Sequence, residues 1–340
     1  MGGLLEVKDL AFSFNTYAGE VQSVRGVSFG LEPGETLGIV GESGCGKSVT
    51  AKCIVRLNPE APIGVQKDGK ILFDGRDISK FSKREMEQVR ARDIRMIFQD
   101  PMTSLNPTKT IGAQISEGIR KAGKISREEA KKRTVETLGL VEIPSPRERY
   151  RQYPHEFSGG MRQRVMIALA MAVNPKLLIA DEPTTALDVT TQAQILSIIK
   201  NIQKEYKTAL IMITHDLGIV ANIARRVAVM YAGKILESGL AEDIFERPAH
   251  PYTWGILGSI PPESSIERKP LTPIPGTPPD LFDPPSGCPF AARCSYVMKV
   301  CRVQYPGETV FGNGQKAACF LYHKYAPRTL NPINGLEVKA

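Results

Sequence analysis

The octapeptide Gly41-Glu42-Ser43-Gly44-Cys45-Gly46-Lys47-Ser48 constrains this chain more than any other stretch. It fits G-x-x-x-x-G-K-[ST], a pattern that works only where a strand runs in and a helix runs out. Both are legible: Leu37 to Val40 is a short apolar strand, and Val49 to Leu57 reads as a helix. Glycines at such a bend let successive backbone N–H groups turn inward, and the following helix adds the positive end of its dipole. The loop is then a cradle for phosphate. Lys47 reaches the outer phosphates as a point charge, and the Ser48 hydroxyl is placed to ligate Mg²⁺. Cys45 needs only to be small, because its position contributes a backbone N–H. The plain alternative is a glycine-rich turn with a chance Lys-Ser, and the motifs that follow in order weigh against it.

Leu177-Leu178-Ile179-Ala180 is a continuous apolar run, as expected of a central parallel strand covered on both faces. It delivers Asp181-Glu182 to its carboxyl end, where open α/β sheets bind ligands. Asp181 is expected to hold Mg²⁺, directly or through water, and Glu182 to orient and deprotonate an attacking water. Phosphoryl transfer needs that positioning and charge neutralisation more than covalent chemistry. Alone, the pair reads as ordinary strand-end carboxylates; behind a phosphate loop it does not. The strand Ile94 to Phe98 ends in Gln99, placed to sense the γ-phosphate and Mg²⁺. The strand Ala209 to Ile213 runs into Thr214-His215-Asp216, which puts His215 in reach of the same phosphate. Ser158 caps a helix running to about Val173, and Gly159-Gly160 leave its first turn open to an anion. Tyr17 and Phe14 are candidates to stack on a purine, and either serves equally well as a core or edge aromatic.

The rest of the chain frames these motifs. Leu4 to Phe14, Val24 to Leu31 and Lys70 to Phe73 read as strands, Ser82 to Arg92 as a helix, and Ile111 to Tyr150 as helical throughout. Arg226 to Met230 and Lys234 to Glu237 form a hairpin about Ala232-Gly233. With 340 residues there is room for one large domain or two. The net charge of +8 and pI of about 9.1 suit a nucleic acid, an anionic membrane surface or a nucleotide ligand, but the Lys and Arg are scattered as on a solvated surface. No apolar run approaches the ~20 residues of a membrane span. The N-terminus lacks the charged-then-apolar pattern of a secretory signal, so a cytoplasmic, at most peripheral, protein is expected. Pro261 to Pro285 is dense in proline and reads as a linker. Four of six cysteines follow it, as Cys288-x₅-Cys294-x₆-Cys301-x₁₇-Cys319. In a reducing cytosol that clustering suggests metal rather than disulfides, and a tail so small would need a staple. Cys53 is most simply core.

The order Gly41–Ser48, Gln99, Ser158–Gln163, Leu177–Glu182, Asp188, His215 resembles the nucleotide-binding subunit of ATP-binding-cassette (ABC) transporters, over roughly Leu4 to Gly258. The resemblance implies an α/β fold of the P-loop NTPase type: a central, mostly parallel sheet, an antiparallel β subdomain and an inserted helical subdomain at about 100–173. It implies a cassette over 1–258, a proline-rich linker over 259–286 and a small Cys-rich extension over 287–340. Gly41 to Val49 would bind ATP with Tyr17 beside it. Ser158, Gly159, Gly160, Met161 and Gln163 match the family's signature, with Met161 where Gln is commonest. They would close on the ATP of a second cassette packed head to tail, and Asp188 falls in the D-loop. Phe98-Gln99-Asp100-Pro101-Met102-Thr103-Ser104-Leu105-Asn106-Pro107 looks like the loop of oligopeptide and dipeptide importers, a branch that includes nickel importers, where it lines the groove for a coupling helix. In that branch the tail cysteines are associated with a [4Fe–4S] cluster; zinc, with His323 replacing a thiolate, is the rival. The implied partners are a sister ATPase (or a second copy), two transmembrane permeases and an extracytoplasmic solute-binding protein, with the chain on the cytoplasmic face of the membrane and no nucleic acid bound. The competing class is a soluble ABC-type ATPase acting on ribosomes or nucleic acid.

Overall fold

The computed structural model describes residues 3–100, 104–185, 187–259 and 273–338. Pro101 to Thr103 of the importer-type loop, Ala186 and residues 260–272 of the expected linker lie outside them.

Two sheets organise the chain. Strands β1 (Leu5–Thr16), β2 (Gly19–Leu31), β4 (Gly64–Phe73) and β5 (Arg76–Asp77) form an antiparallel sheet in the order β2-β1-β4-β5. The second sheet holds β3 (Thr36–Val40), β6 (Ile94–Ile97), β7 (Leu177–Asp181), β8 (Ala209–Thr214), β9 (Arg226–Tyr231), β10 (Lys234–Leu240), β11 (Thr309–Val310) and β12 (Lys316–Ala317), in the order β11-β12-β10-β9-β3-β8-β7-β6. From β6 across to β9 the strands run parallel; β10, β12 and β11 continue antiparallel.

The apolar runs behave as both-face-buried strands should. Leu177 and Ile179 face one core with Ile211, Ile39 and the antiparallel sheet, while Leu178 and Ala180 face another with Leu210, Met212 and the helical residues. All are buried, and each large side chain among them contributes about 2 kcal/mol. This double cover pins the register, because slipping β7 by one residue would exchange both sets at once.

Local signals set the helix starts. Ser82 and Glu85 form a reciprocal capping box at the head of Lys83–Arg92. Thr110, Ser126, Ser158 and Asp188 each accept a backbone N–H at the start of the following helix. The stretch expected to be helical throughout is three helices, Ile111–Ala122, Arg127–Leu140 and Pro146–Arg149. Gly123 ends the first in extended backbone, Ser126 caps the second, and Ser145 at φ 49 turns the chain before Pro146. Apolar spacing alone runs through such breaks. Strand β4 also begins earlier than expected, at Gly64 instead of Lys70, and takes in an irregularity at Asp68-Gly69, with Gly69 at φ 98.

The tail does not stand apart. β12 pairs with β10, so the C-terminal residues extend the central sheet. Cys288, Phe290, Ala291 and Cys301 share a core with Val40, Val229, Tyr231 and Tyr252. Buried Glu237 of β10 ties the elements together, accepting from the Ala249 and His250 amides, Thr253 Oγ1 and Gln315 Nε2. Burial pushes its pKa up to about 7 against those bonds. A small tail that shares a neighbour's core relies less on a staple of its own.

Candidate functional site

Strands β3, β8, β7 and β6 are neighbours with a common direction, so the residues at their carboxyl ends converge. Gly41 to Gly46 follow β3, and the helix Lys47–Ile54 starts at the lysine. Gly46 is its N-cap at φ 101, so no side chain blocks that end. The Ser48 hydroxyl donates to Asp181 Oδ1 at 2.8 Å, joining two motifs 133 residues apart. Lys47 is buried and folds back, donating to the Gly41 and Glu42 carbonyls at 2.8 and 2.9 Å. With Lys47 close by, burial still raises the pKa of the Cys45 thiol, which leaves it an inert small group.

Burial also raises the pKa of Asp181, against the Ser48 bond and nearby lysines. A buried carboxylate beside a hydroxyl is a hard-oxygen donor pair, and it fits Mg²⁺. Glu182 follows at φ 46, left-handed backbone that a non-glycine residue holds at a cost of about 1–3 kcal/mol. Its amide donates to the Ile213 carbonyl of β8, which fixes the bend. Its Oε2 accepts from Gln99 Nε2 at 3.2 Å and Thr185 Oγ1 at 3.0 Å, and His215 Nδ1 lies 3.5 Å away. Three strand ends thus meet at one oxygen. Thr185 carried no signal in the sequence beyond its place three residues after the carboxylate.

The signature residues sit elsewhere. Ser158 caps the helix Gly159–Met171, which packs in the core shared with the helical segments. Ser158 and Gly159 are exposed, and the close approach of Thr191 explains Gly160, where a Cβ would stand 2.8 Å from Thr191 Cγ2. Gln163 is buried and donates to the Pro183 carbonyl at 2.6 Å, so it braces the chain after Glu182. Asp188 caps the helix Val189–Tyr206. Phe14 packs edge to face on Phe12 against the core, whereas Tyr17 stands fully exposed at the β1–β2 turn. Of the two aromatics, Tyr17 is the one free to stack.

The four tail cysteines converge. Cys288, Cys294, Cys301 and Cys319 line one small cavity of about 20 Å³, room for roughly one water. Burial raises the thiol pKa values of Cys288 and Cys294 to about 12 and 11 and pushes Cys319 up further. The histidine lining this cavity is His250, not the expected His323, which lies against Tyr325. His250 accepts the Tyr252 amide at Nδ1, and its buried Nε2 has no partner among the described residues. Burial holds its pKa down to about 3. Among the described residues, no group of three or more His, Cys, Asp or Glu is arranged to hold a metal ion. The expected [4Fe–4S] cluster and its zinc rival therefore lack an assembled site among the described residues, although the four thiols line one cavity.

Comparison with known proteins follows the same division. Residues 24–185 match the family model for "ABC transporter", and residues 236–301 match "Oligopeptide/dipeptide transporter, C-terminal region". The chain is 59% identical to the oligopeptide transport ATP-binding protein OppD of Bacillus subtilis, over 99% of this chain and 93% of that one. It is 55% identical to the dipeptide transport ATP-binding protein DppD of the same organism, over 96% of this chain and 97% of that one. Among solved structures it is similar to the ATP-binding cassette MJ0796, described as dimeric in a post-hydrolysis state bound to ADP and Pi. The TM-score is 0.63 with 26% identity, over 70% of this chain and 98% of that one.

Proposed function

Since this chain belongs to the ABC transporter family, in its oligopeptide/dipeptide branch, we infer that it is the ATP-hydrolysing subunit that energises peptide import. ATP and Mg²⁺ are its ligands, membrane permeases and a substrate-binding protein its partners, and its place is peripheral to the membrane. Among the described residues no helix is long and apolar enough to cross a bilayer. The carrying observation is the Ser48–Asp181 contact, which sets the phosphate loop against the strand-end carboxylates.

In this reading Gly41 to Val49 cradle the triphosphate, and Lys47 swings from its own loop carbonyls to the outer phosphates. Ser48, Asp181 and Gln99 would hold Mg²⁺, which when bound neutralises charge on the phosphates. Glu182, held by Gln99 and Thr185, takes the proton of the attacking water, and His215 donates to the γ-phosphate. Ser158 and Gly159, which are exposed, with half-buried Gly160 and Met161 behind them, supply the second half of an ATP site to a partner cassette. Closure of that pair around ATP would drive the permeases from the cytoplasmic face. A sister ATPase is the proposed partner. Lys47→Ala is the test: it abolishes ATP binding and ATP-dependent peptide uptake by the reconstituted transporter, and uptake that survives would overturn the assignment.

The cassette is proposed to span 1–258, with a linker to 286 and the cysteine-rich extension beyond. For that extension, a [4Fe–4S] cluster ligated by Cys288, Cys294, Cys301 and Cys319 is the proposed occupant, with His250 Nε2 as a donor toward its sulfur. Bound, it would supply a rigid thiolate staple. Anaerobically purified chain is expected to carry about four irons with a broad visible band. Stoichiometric zinc, or no metal, would refute the cluster while leaving the ATPase untouched.

A further inference from the structure

The start of the phosphate loop is held from the far end of the chain. Every polar group of Glu42 has a partner. Its amide donates to Tyr252 Oη at 2.9 Å, its carbonyl accepts from Lys47, and its carboxylate takes a two-pronged contact from Arg293. That contact runs from Nη1 to Oε2 at 2.6 Å and from Nη2 to Oε1 at 3.0 Å, across 251 residues of sequence. Arg293 is itself held on all sides. Nε donates to the Pro275 carbonyl at 2.8 Å, Nη1 also reaches Tyr231 Oη at 3.2 Å, and its side chain is 6% exposed. Burial works against its charge, but the bonds to Glu42 and Tyr231 more than offset this and raise its pKa. A planar guanidinium forked onto a carboxylate fixes both position and orientation, which an ammonium does not.

Glu42 puts a negative charge in a loop whose ligand is a polyanion. Left bare, that carboxylate would repel the phosphates and swing toward Lys47, the cation they need. The fork from Arg293 neutralises the charge and points it away. We propose that Arg293, although it lies in the cysteine-rich extension, is a positioning residue for ATP: it masks Glu42 and holds the entrance of the phosphate loop open to the triphosphate. This rests on the reading of Gly41 to Ser48 as the ATP cradle. It also gives the extension a direct line to the nucleotide, because Arg293 is next in sequence to Cys294 of the thiol cavity.

The test uses the full chain, with ATP affinity read by displacement of a fluorescent ATP analogue, and KM and kcat read in the assembled transporter. Arg293→Ala is expected to weaken ATP binding about tenfold and raise KM to match, with kcat within about twofold. Arg293→Lys, which keeps the charge but loses the fork, falls between. Removing the exposed anion as well, in Arg293→Ala with Glu42→Gln, restores affinity to within about threefold of the parent. A packing role alone predicts the opposite, since the second substitution would then rescue nothing. The proposal is overturned by unchanged affinity in Arg293→Ala, or by a double variant as weak as the single one. Lys47→Ala run alongside separates the two levels: if it still binds ATP, the cradle assignment falls and takes this proposal with it.

Discussion

Replacing Glu182 by Gln leaves ATP bound and lowers its hydrolysis about 10²–10⁴-fold, the range expected when a positioned general base is removed. The substitution keeps shape and length, so the left-handed bend at φ 46 and the amide bond to Ile213 survive. The side chain still meets Gln99 and Thr185, but it can no longer accept a proton. Binding is spared because the groups that cradle phosphate lie on the other strand end, after β3. Nucleotide-loaded cassettes therefore accumulate as a closed pair. Single-turnover hydrolysis, with size-exclusion chromatography in ATP, checks both halves of this result. Undiminished turnover would move the base role to another residue, and His215, 3.5 Å from Glu182, would be the next to test.

Gly46→Ala collapses the phosphate loop, and the comparison with Gly44→Ala shows why. Both glycines have positive φ, 101 and 78. A Cβ on Gly46 would lie 2.2 Å from the Ser23 carbonyl of β2 and 2.9 Å from Met230 Cε, whereas a Cβ on Gly44 meets nothing within 4 Å. The Ser23 carbonyl is strand backbone and cannot step aside as the end of a flexible side chain could. The Gly46 carbonyl also accepts the Thr50 amide and hydroxyl, so shifting it unpicks the first turn of the helix that carries Lys47 and Ser48. Gly46→Ala is expected to cost about 3 kcal/mol or more and to abolish ATP binding; Gly44→Ala costs about 1 kcal/mol, the backbone term alone. Urea denaturation of the two variants checks the difference. Equal losses would mean that the close approach to Ser23 is not maintained in solution.

The strand ends were legible because burial on both faces writes an unbroken apolar run, and such a run stops where the sheet meets solvent. Asp181, Gln99 and His215 could be placed in this way before any contact was known. Helix starts were legible where a cap residue marked them, as at Ser82 and Ser158, and illegible where only apolar spacing was consulted, as between Ile111 and Tyr150. The thiol spacing showed that four cysteines belong together. It could not show His250 on the same cavity, because a single histidine before a proline carries no spacing of its own.

By itself, the sequence determined the class of fold, the phosphate loop, the acidic pair and the order in which they occur. These depend on local rules: a glycine for a positive φ, an apolar run for a central strand, a hydroxyl for a cap. Only the tertiary structure decided what crosses the chain. It turned Gln163 inward to brace Pro183, left Tyr17 in solvent and Phe14 against the core, and set β12 beside β10 so that the tail became part of the main sheet. It also laid Arg293 across Glu42. Partners so far apart in sequence leave no periodic trace, since each is chosen by the packing of strands between them and not by its neighbours along the chain.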